Sequence, residues 1–257
     1  MMYNKKYFYD TEANNDIKIR IKALKFALSI AEKDKSISRI VLYLSHKKNT
    51  GWFKGIFAPP LIDQLFKGYQ YNKPKVLIKI ESTITYQRSP GYSDVVIAFG
   101  TRTKELCELE DIHSVKYIIS IPWVKSETEE WIKSRNAINA ETGKKNLIKL
   151  PSLIVCIALQ QLTNSINLST GISYPTDNET AKKYIRALYK YEEEPLKGLD
   201  VEAYLVNNLN WKSQDAKQVR DLVDRLNNGR NFQGGSTTSL LSLYEHWKEL
   251  ASKQEKS

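Results

Sequence analysis

Cross-linking and reactive side chains are scarce in this 257-residue chain, which has two cysteines, Cys107 and Cys156, and three histidines, His46, His113 and His246. Two cysteines cannot build the disulfide framework of a small secreted scaffold. Both lie in amphipathic or apolar surroundings, so each reads as a buried free thiol in a reducing cytoplasm. The histidines stand far apart and no Cys/His cluster has zinc-ligand spacing, so no metal site is expected. Long apolar runs are missing too. The longest, Leu153 to Leu159, falls far short of the ~20 residues of a membrane helix, and Met1-Met2-Tyr3-Asn4-Lys5-Lys6 lacks the apolar stretch of a secretory signal. No Gly-x-Ser-x-Gly elbow, internal repeat or low-complexity tract occurs, and no pattern names a cofactor. The expectation is a cytoplasmic protein without membrane contact.

What is present suits a folded protein: 41% of residues are hydrophobic and 26% charged, enough to bury a core. The net charge of +10 is uneven. Residues 1–100 hold 17 Lys and Arg against 8 Asp and Glu, a surplus of +9, whereas the charges balance from residue 171 onward. A basic half beside a neutral half points to an anionic partner: a nucleotide, a nucleic acid or an acidic protein surface. The competing reading is lysines that only keep the chain soluble.

The stretch from Gly91 to Trp123 organises the rest. Asp94 to Phe99 is an apolar run of strand length, Gly100-Thr101-Arg102-Thr103 is a turn with a capping residue, Lys104 to Asp111 is a short helix, and Val115 to Ile121 is a second buried strand. Together they make a βαβ unit. Two further strands are expected at Ile37 to Leu44 and Lys75 to Ile80. After the latter, no helix pattern reaches as far as Tyr92, which predicts a hairpin or continued strand and one antiparallel member of the sheet. Ahead of them, residues 1–13 are aromatic and basic (Tyr3, Tyr7, Phe8 and Tyr9 with Lys5 and Lys6) and read as an arm packed on the core, in preference to a surface that stacks on bases. Asp16 caps a helix whose apolar face is Ile17, Ile21, Leu24, Leu28 and Ala31. Pro59-Pro60 opens a short helix, Leu61 to Phe66.

Downstream, Ser126-Glu127-Thr128-Glu129 forms a capping box that starts a helix to Ala137. Leu150 to Ile166 reads as a buried helix closing the first domain, and a second capping box, Thr176 to Glu179, opens Ala181 to Tyr191. Further helices are expected at Val201–Leu209, Ser213–Leu226 and Ser239–Leu250. The fold class is therefore α/β, a Rossmann-like mostly parallel sheet domain (1–168) with a basic N-terminal half, followed by a small helical domain (169–257). The pair of helices around Asn210-Trp211-Lys212 has the outline of a helix-turn-helix. The region is neutral, however, and Val219, Leu222, Val223 and Leu226 mark a packed face, so a structural bundle is preferred. Asn228 to Gly235 is either a binding loop or a plain connection.

Parallel neighbouring strands bring the loops after their C-terminal ends to one edge, where ligands of open α/β sheets bind. The candidate binding residues are Ser45, Lys47, Lys48, Asn49, Thr50, Ser82, Gly100, Thr101, Arg102, Thr103 and Trp123, with Thr83 beside them. Lys48 and Arg102 would meet phosphate oxygens, the amides of Gly100 to Thr103 would present a helix N-terminus, and Trp123 would stack on a base or close the pocket. Against this, every βα junction needs a turn glycine and a cap. His46 with Glu81 is the candidate catalytic pair, a base that would activate water. The P-loop glycine spacing is absent. His46-Lys47-Lys48 contains the His-x-Lys pair of phospholipase-D-like enzymes, but the aspartate those sites need does not follow and Phe53 stands in the run. The leading expectation is binding, with hydrolysis as an added step, of a nucleotide or nucleic acid at the sheet's edge. The alternative is a non-catalytic nucleic-acid-binding accessory protein of a bacterial defence or mobile-element system, meeting a protein partner through its helices.

Overall fold

The computed structural model describes residues 6–9, 16–86 and 93–255; Met1 to Lys5, residues 10–13, Gly91 and Tyr92, named above, lie outside them. The chain forms two compact units, Met1–Leu147 and Ile148–Ser257. The first contains β1 (Lys6–Tyr9), α1 (Ile17–Lys33), β2 (Arg39–Leu44), α2 (Pro59–Lys67), β3 (Tyr69–Asn72), β4 (Lys75–Ser82), α3 (Thr83–Tyr86), β5 (Asp94–Phe99), α4 (Thr103–Glu110), β6 (Val115–Ile121), α5 (Glu129–Ser134) and β7 (Ile138–Asn139). These strands make one seven-stranded sheet in the order β3-β4-β2-β5-β6-β1-β7. Every pairing is parallel except β3 with β4.

The strand sequences explain the layering. All six residues of β2 and all six of β5 are buried, as expected for parallel strands covered on both faces. Ile40, Leu42 and Leu44 pack with α1 and α2, while Val41 and Tyr43 pack with residues of α4 and α5. Helix α1 is capped by Asp16, whose Oδ1 accepts the Lys18 amide at 2.9 Å. Its buried stripe is Ile19, Ala23, Ala27, Ile30 and Ala31, rotated from the expected Ile17/Ile21/Leu24/Leu28 face. Small alanines let the helix lie close on the sheet, with Leu24 and Leu28 filling its flanks.

Three differences from the sequence reading have physical causes. The aromatic arm is a strand: Phe8 meets Phe26 edge-on at 4.9 Å on one face, and Tyr7 meets Trp131 at 5.5 Å on the other. That is the period-two alternation of a strand, in too few residues to be read as one. The antiparallel strand is β3, a polar Tyr-Gln-Tyr-Asn segment paired to the far side of β4, whereas the link after β4 begins with the short helix α3 and leads to a parallel β5. The expected helix from Ser126 is split into a 3-10 turn, Lys125–Glu127, and α5, because the Glu127 carboxylate accepts the Val124 amide at 3.3 Å.

The second unit is helical: α6 (Leu153–Ser165), α7 (Pro175–Tyr191), α8 (Gly198–Leu209), α9 (Ser213–Asn227) and α10 (Leu240–Gln254). Val155, Ala158, Leu159 and Leu162 of α6 belong to its core. With the compact units divided between Leu147 and Ile148, α6 falls in the helical one. Thr176 is not a cap. Helix α7 starts a residue earlier at Pro175, and Glu179 instead accepts the Gly235 amide and pairs with Lys182. Arg220 of the helix-turn-helix outline is tied to Glu202 at 3.1 Å and Asp224 at 3.2 Å.

At the N-terminal end of β2 and β5, Arg39 and Asp94 form a fully buried bidentate pair. Nε meets Oδ1 at 2.9 Å and Nη2 meets Oδ2 at 2.7 Å. Tyr86 and Ser114 hydroxyls also donate to Asp94, at 2.6 and 2.8 Å. Burial, with Asp94 alongside, pushes the Tyr86 hydroxyl far above its ordinary range, so it remains a donor. Removing one partner strands the other charge in the core, at about 3–5 kcal/mol. Asp94→Ala is expected to lower the sheet unit's stability by about that amount in urea unfolding, and Arg39→Met/Asp94→Leu to cost less than either single change.

Candidate functional site

Strands β4, β2, β5 and β6 end in register, with Leu44 beside both Ser82 and Phe99, and Phe99 beside Ile121. Their following loops leave one common edge. Helix α2 follows β2 on one face of the sheet, and α4 follows β5 on the other. The chain therefore diverges between β2 and β5, where an open α/β sheet leaves a crevice.

Aromatic rings fill the base of that crevice. Trp52, in the 3-10 turn Thr50–Phe53 after β2, is buried and lies 5.6 Å from Phe99 and 4.2 Å from Trp123, ring centre to centre. Trp123 follows β6 and is 46% exposed. Gly100 passes beneath both indoles with φ +60°; a Cβ there would stand 2.6 Å from Trp123 Nε1 and 2.8 Å from Trp52 Cζ2. Glycine is required twice over, for backbone conformation and for space. The turn is held from α1 by buried Arg20, whose Nη1 donates to the Trp52 carbonyl at 2.6 Å and whose guanidinium lies over the Trp52 ring.

The residues expected to bind fall into two groups. Exposed on the β2 loop are His46, Lys47, Lys48 and Asn49; Lys47 Nζ sits 6.0 Å from the Phe66 ring centre, and Lys48 makes no ion pair among the described residues. Ser45, Ser82 and Thr83 make hydrogen bonds within the chain. Tyr43 donates to Thr83 Oγ1 at 2.8 Å, and Thr83 donates to the Ser45 carbonyl at 3.3 Å. Burial pushes the Tyr43 hydroxyl up to about 12, which keeps it protonated. The Ser82 amide donates to Thr85 Oγ1 at 2.9 Å. Thr50 is half-buried and opens the Trp52 turn.

The β5 loop is less free than expected. Thr101 is fully buried. The Arg102 amide, just ahead of α4, donates to Glu105 Oε2 at 2.7 Å, so a carboxylate of the helix's own first turn already meets that amide. Arg102 Nε reaches Glu127 at 3.3 Å while most of its side chain stays in solvent, and Thr103 Oγ1 donates to the Glu127 carbonyl at 3.0 Å. Nor are the two catalytic candidates joined. His46 is exposed, whereas Glu81 is 1% exposed and ion-paired to Lys79 at 2.7 Å. No hydrogen bond connects them. Among the described residues no group of three His, Cys, Asp or Glu side chains is placed to hold a metal, and no helix is long and apolar enough to cross a membrane.

Trp52, Arg20, Glu105 and Glu127 are the residues of this edge that sequence reasoning passed over. A tryptophan directly after Gly51, ahead of Phe53, was the legible signal for the first. Glu105 lacked the Ser or Thr of a capping box three residues before it, and nothing in the sequence joins Glu127 to Arg102, 25 residues away.

The sheet unit is thus a mixed α/β layer with a cluster of aromatic rings at its carboxyl edge. In comparison with known proteins, residues 151–248 match a family described as a domain of unknown function, DUF1889. That match covers helices of the second unit and none of the sheet. No curated protein and no solved structure matches the chain.

Gly100→Ala combines a left-handed backbone with two indole clashes, a cost of at least about 1–2 kcal/mol. The expected outcome is that loss of stability together with a changed near-ultraviolet circular dichroism signal from the Trp52–Trp123 pair. An unchanged signal would show that the two rings do not couple across Gly100.

Proposed function

We propose that the carboxyl edge of the sheet unit binds a phosphate-bearing ligand, a nucleotide or nucleic acid, by stacking a base on Trp123. The observation that carries this reading is the half-exposed indole held by Trp52 at the crevice between β2 and β5. A ring fixed from below offers its face without losing rotamer freedom on binding, and every base presents a π-surface to it. The sheet is Rossmann-like in this reading, with its ligand at the point of strand divergence. Lys48, Lys47 and Arg102 supply the counter-charge as side chains, since Glu105 already takes the Arg102 amide just ahead of α4. The +9 surplus of residues 1–100 favours the same class of ligand. We assign no hydrolytic step, since Glu81 is engaged by Lys79 and not by His46. A cytoplasmic location and a protein partner for the helical unit complete the proposal.

A non-catalytic nucleic-acid binder using the whole basic surface would behave differently. Its affinity would fall steeply with salt and erode gradually as scattered lysines are removed. Tryptophan fluorescence titrated with mononucleotides, dinucleotides and short single strands at two salt concentrations separates the two. Stacking is worth ~1–3 kcal/mol per base, so Trp123→Ala is expected to weaken binding by roughly tenfold or more, and Trp123→Phe to retain part of it. Lys48→Ala and Arg102→Ala should each weaken it further. Full affinity in all of these variants would sink the site.

A further inference from the structure

The helical unit is close to neutral, yet one of its grooves gathers positive charge. A cavity of about 610 Å³ lies between α7, the end of α9, the loop after it and the start of α10, lined by Arg186, Tyr189, Lys190, Leu226, Arg230 and Leu240 among others. Leu226 and Leu240 form an apolar floor, and among the described residues no carboxylate lines it. The neighbouring groove shares Arg230 but balances Lys182 and Arg225 with Asp221 and Asp224. The imbalance is therefore local to one groove.

The loop that walls the groove is held in place. The Arg186 guanidinium donates to Asn231 Oδ1 at 2.7 Å, to the Gly234 carbonyl at 3.1 Å and to the Phe232 carbonyl, and it lies 4.3 Å from the Phe232 ring centre. Gly234 and Gly235, both at positive φ, press against Glu179 and the α7 backbone so closely that a Cβ on either would clash. Arg186 thus serves to hold the loop. Lys190 and Arg230 hold nothing in this way. Both are exposed, Lys190 only leans over the Tyr191 ring, and the Arg230 side chain makes no hydrogen bond or ion pair among the described residues. Two like charges one helical turn apart, Arg186 and Lys190, work against the helix. A third placed opposite them on a rigid loop compounds that repulsion.

We propose that this groove docks an acidic peptide segment carrying an apolar side chain, which would sit on Leu226 and Leu240 while its carboxylates meet Lys190 and Arg230. Charge complementarity across an apolar floor is what such a segment offers. A compact phosphate would satisfy the cations but leave the floor wet. The site is independent of the sheet edge and lies within the DUF1889-matched residues.

The test is an array of fluorescein-labelled peptides that varies the number of Asp and Glu residues around a central Leu or Phe, read by anisotropy on the full chain. Binding should require both features, so peptides with Gln for Glu, or with Ser at the centre, should bind at least tenfold more weakly. Lys190→Glu/Arg230→Glu, with unchanged helical circular dichroism, should abolish binding of acidic peptides and gain binding of the Lys-for-Glu counterparts, while Trp123→Ala should have no effect. The idea fails if no acidic peptide binds, if the charge-reversed protein binds them equally, or if inorganic phosphate or oligonucleotide displaces them at lower concentration than the peptide itself.

Discussion

The buried pair of Arg39 and Asp94 sets the geometry on which the sheet unit depends. Two ions with no access to water can be tolerated only with their hydrogen-bonding capacity met, and here the bidentate contact is completed by Tyr86 and Ser114. Because the partners are directly opposed on adjacent strands, a slip of one residue would separate them and turn each side chain to the other face. Register is fixed at one end of β2 and β5, and at the other end Leu44 and Phe99 finish side by side. The crevice inherits its position from an ion pair about 17 Å away along the strands, at ~3.3 Å per residue.

What occupies that edge is more aromatic than cationic. An exposed helix N-terminus would invite an anion, but Glu105 takes the Arg102 amide at the N-cap of α4 and Glu127 engages the Arg102 side chain. The surrounding order is spent on placing indoles: Arg20 holds the Trp52 turn from α1, Gly100 gives way beneath the rings, and Trp123 is left half in solvent. Exposed Val124 beside it adds apolar surface. Recognition at such an edge rests on a flat face and on mobile lysines, not on a rigid cradle of amides.

The helical unit uses its unusual residues to fix a loop. Glu179 takes the Gly235 amide, Arg186 takes carbonyls of the same loop, and two glycines allow the loop to touch the α7 backbone. Its helix pair around Trp211 is tied together from within, since Arg220 bridges α8 and α9 through Glu202 and Asp224 and Trp211 Nε1 donates to Thr163. Arg220, in the second helix of that pair, is thereby committed to the bundle.

Periodicity and punctuation were sufficient for most of the elements. Asp94–Phe99 and Val115–Ile121 are strands at the residues where apolar runs begin and end, and helices follow repeats of 3.6 with punctuation such as Pro59 and Gly229, although the start of α7 at Pro175 was missed. These signals are local, so a single sequence carries them. The convergence of the β2, β4, β5 and β6 loops also followed, once parallel neighbours were assumed. Tertiary structure alone decided the rest. Tyr7 and Phe8 are a strand only because β6 and β7 supply their hydrogen-bond partners, and β3 is one only because β4 does. Arg39 and Asp94 are 55 residues apart, and Glu105 and Glu127 look like any surface acids until their backbone partners are in place. Long-range pairing leaves no period in a sequence, which is why strand order, the buried ion pair and the blocked helix terminus became visible only in three dimensions.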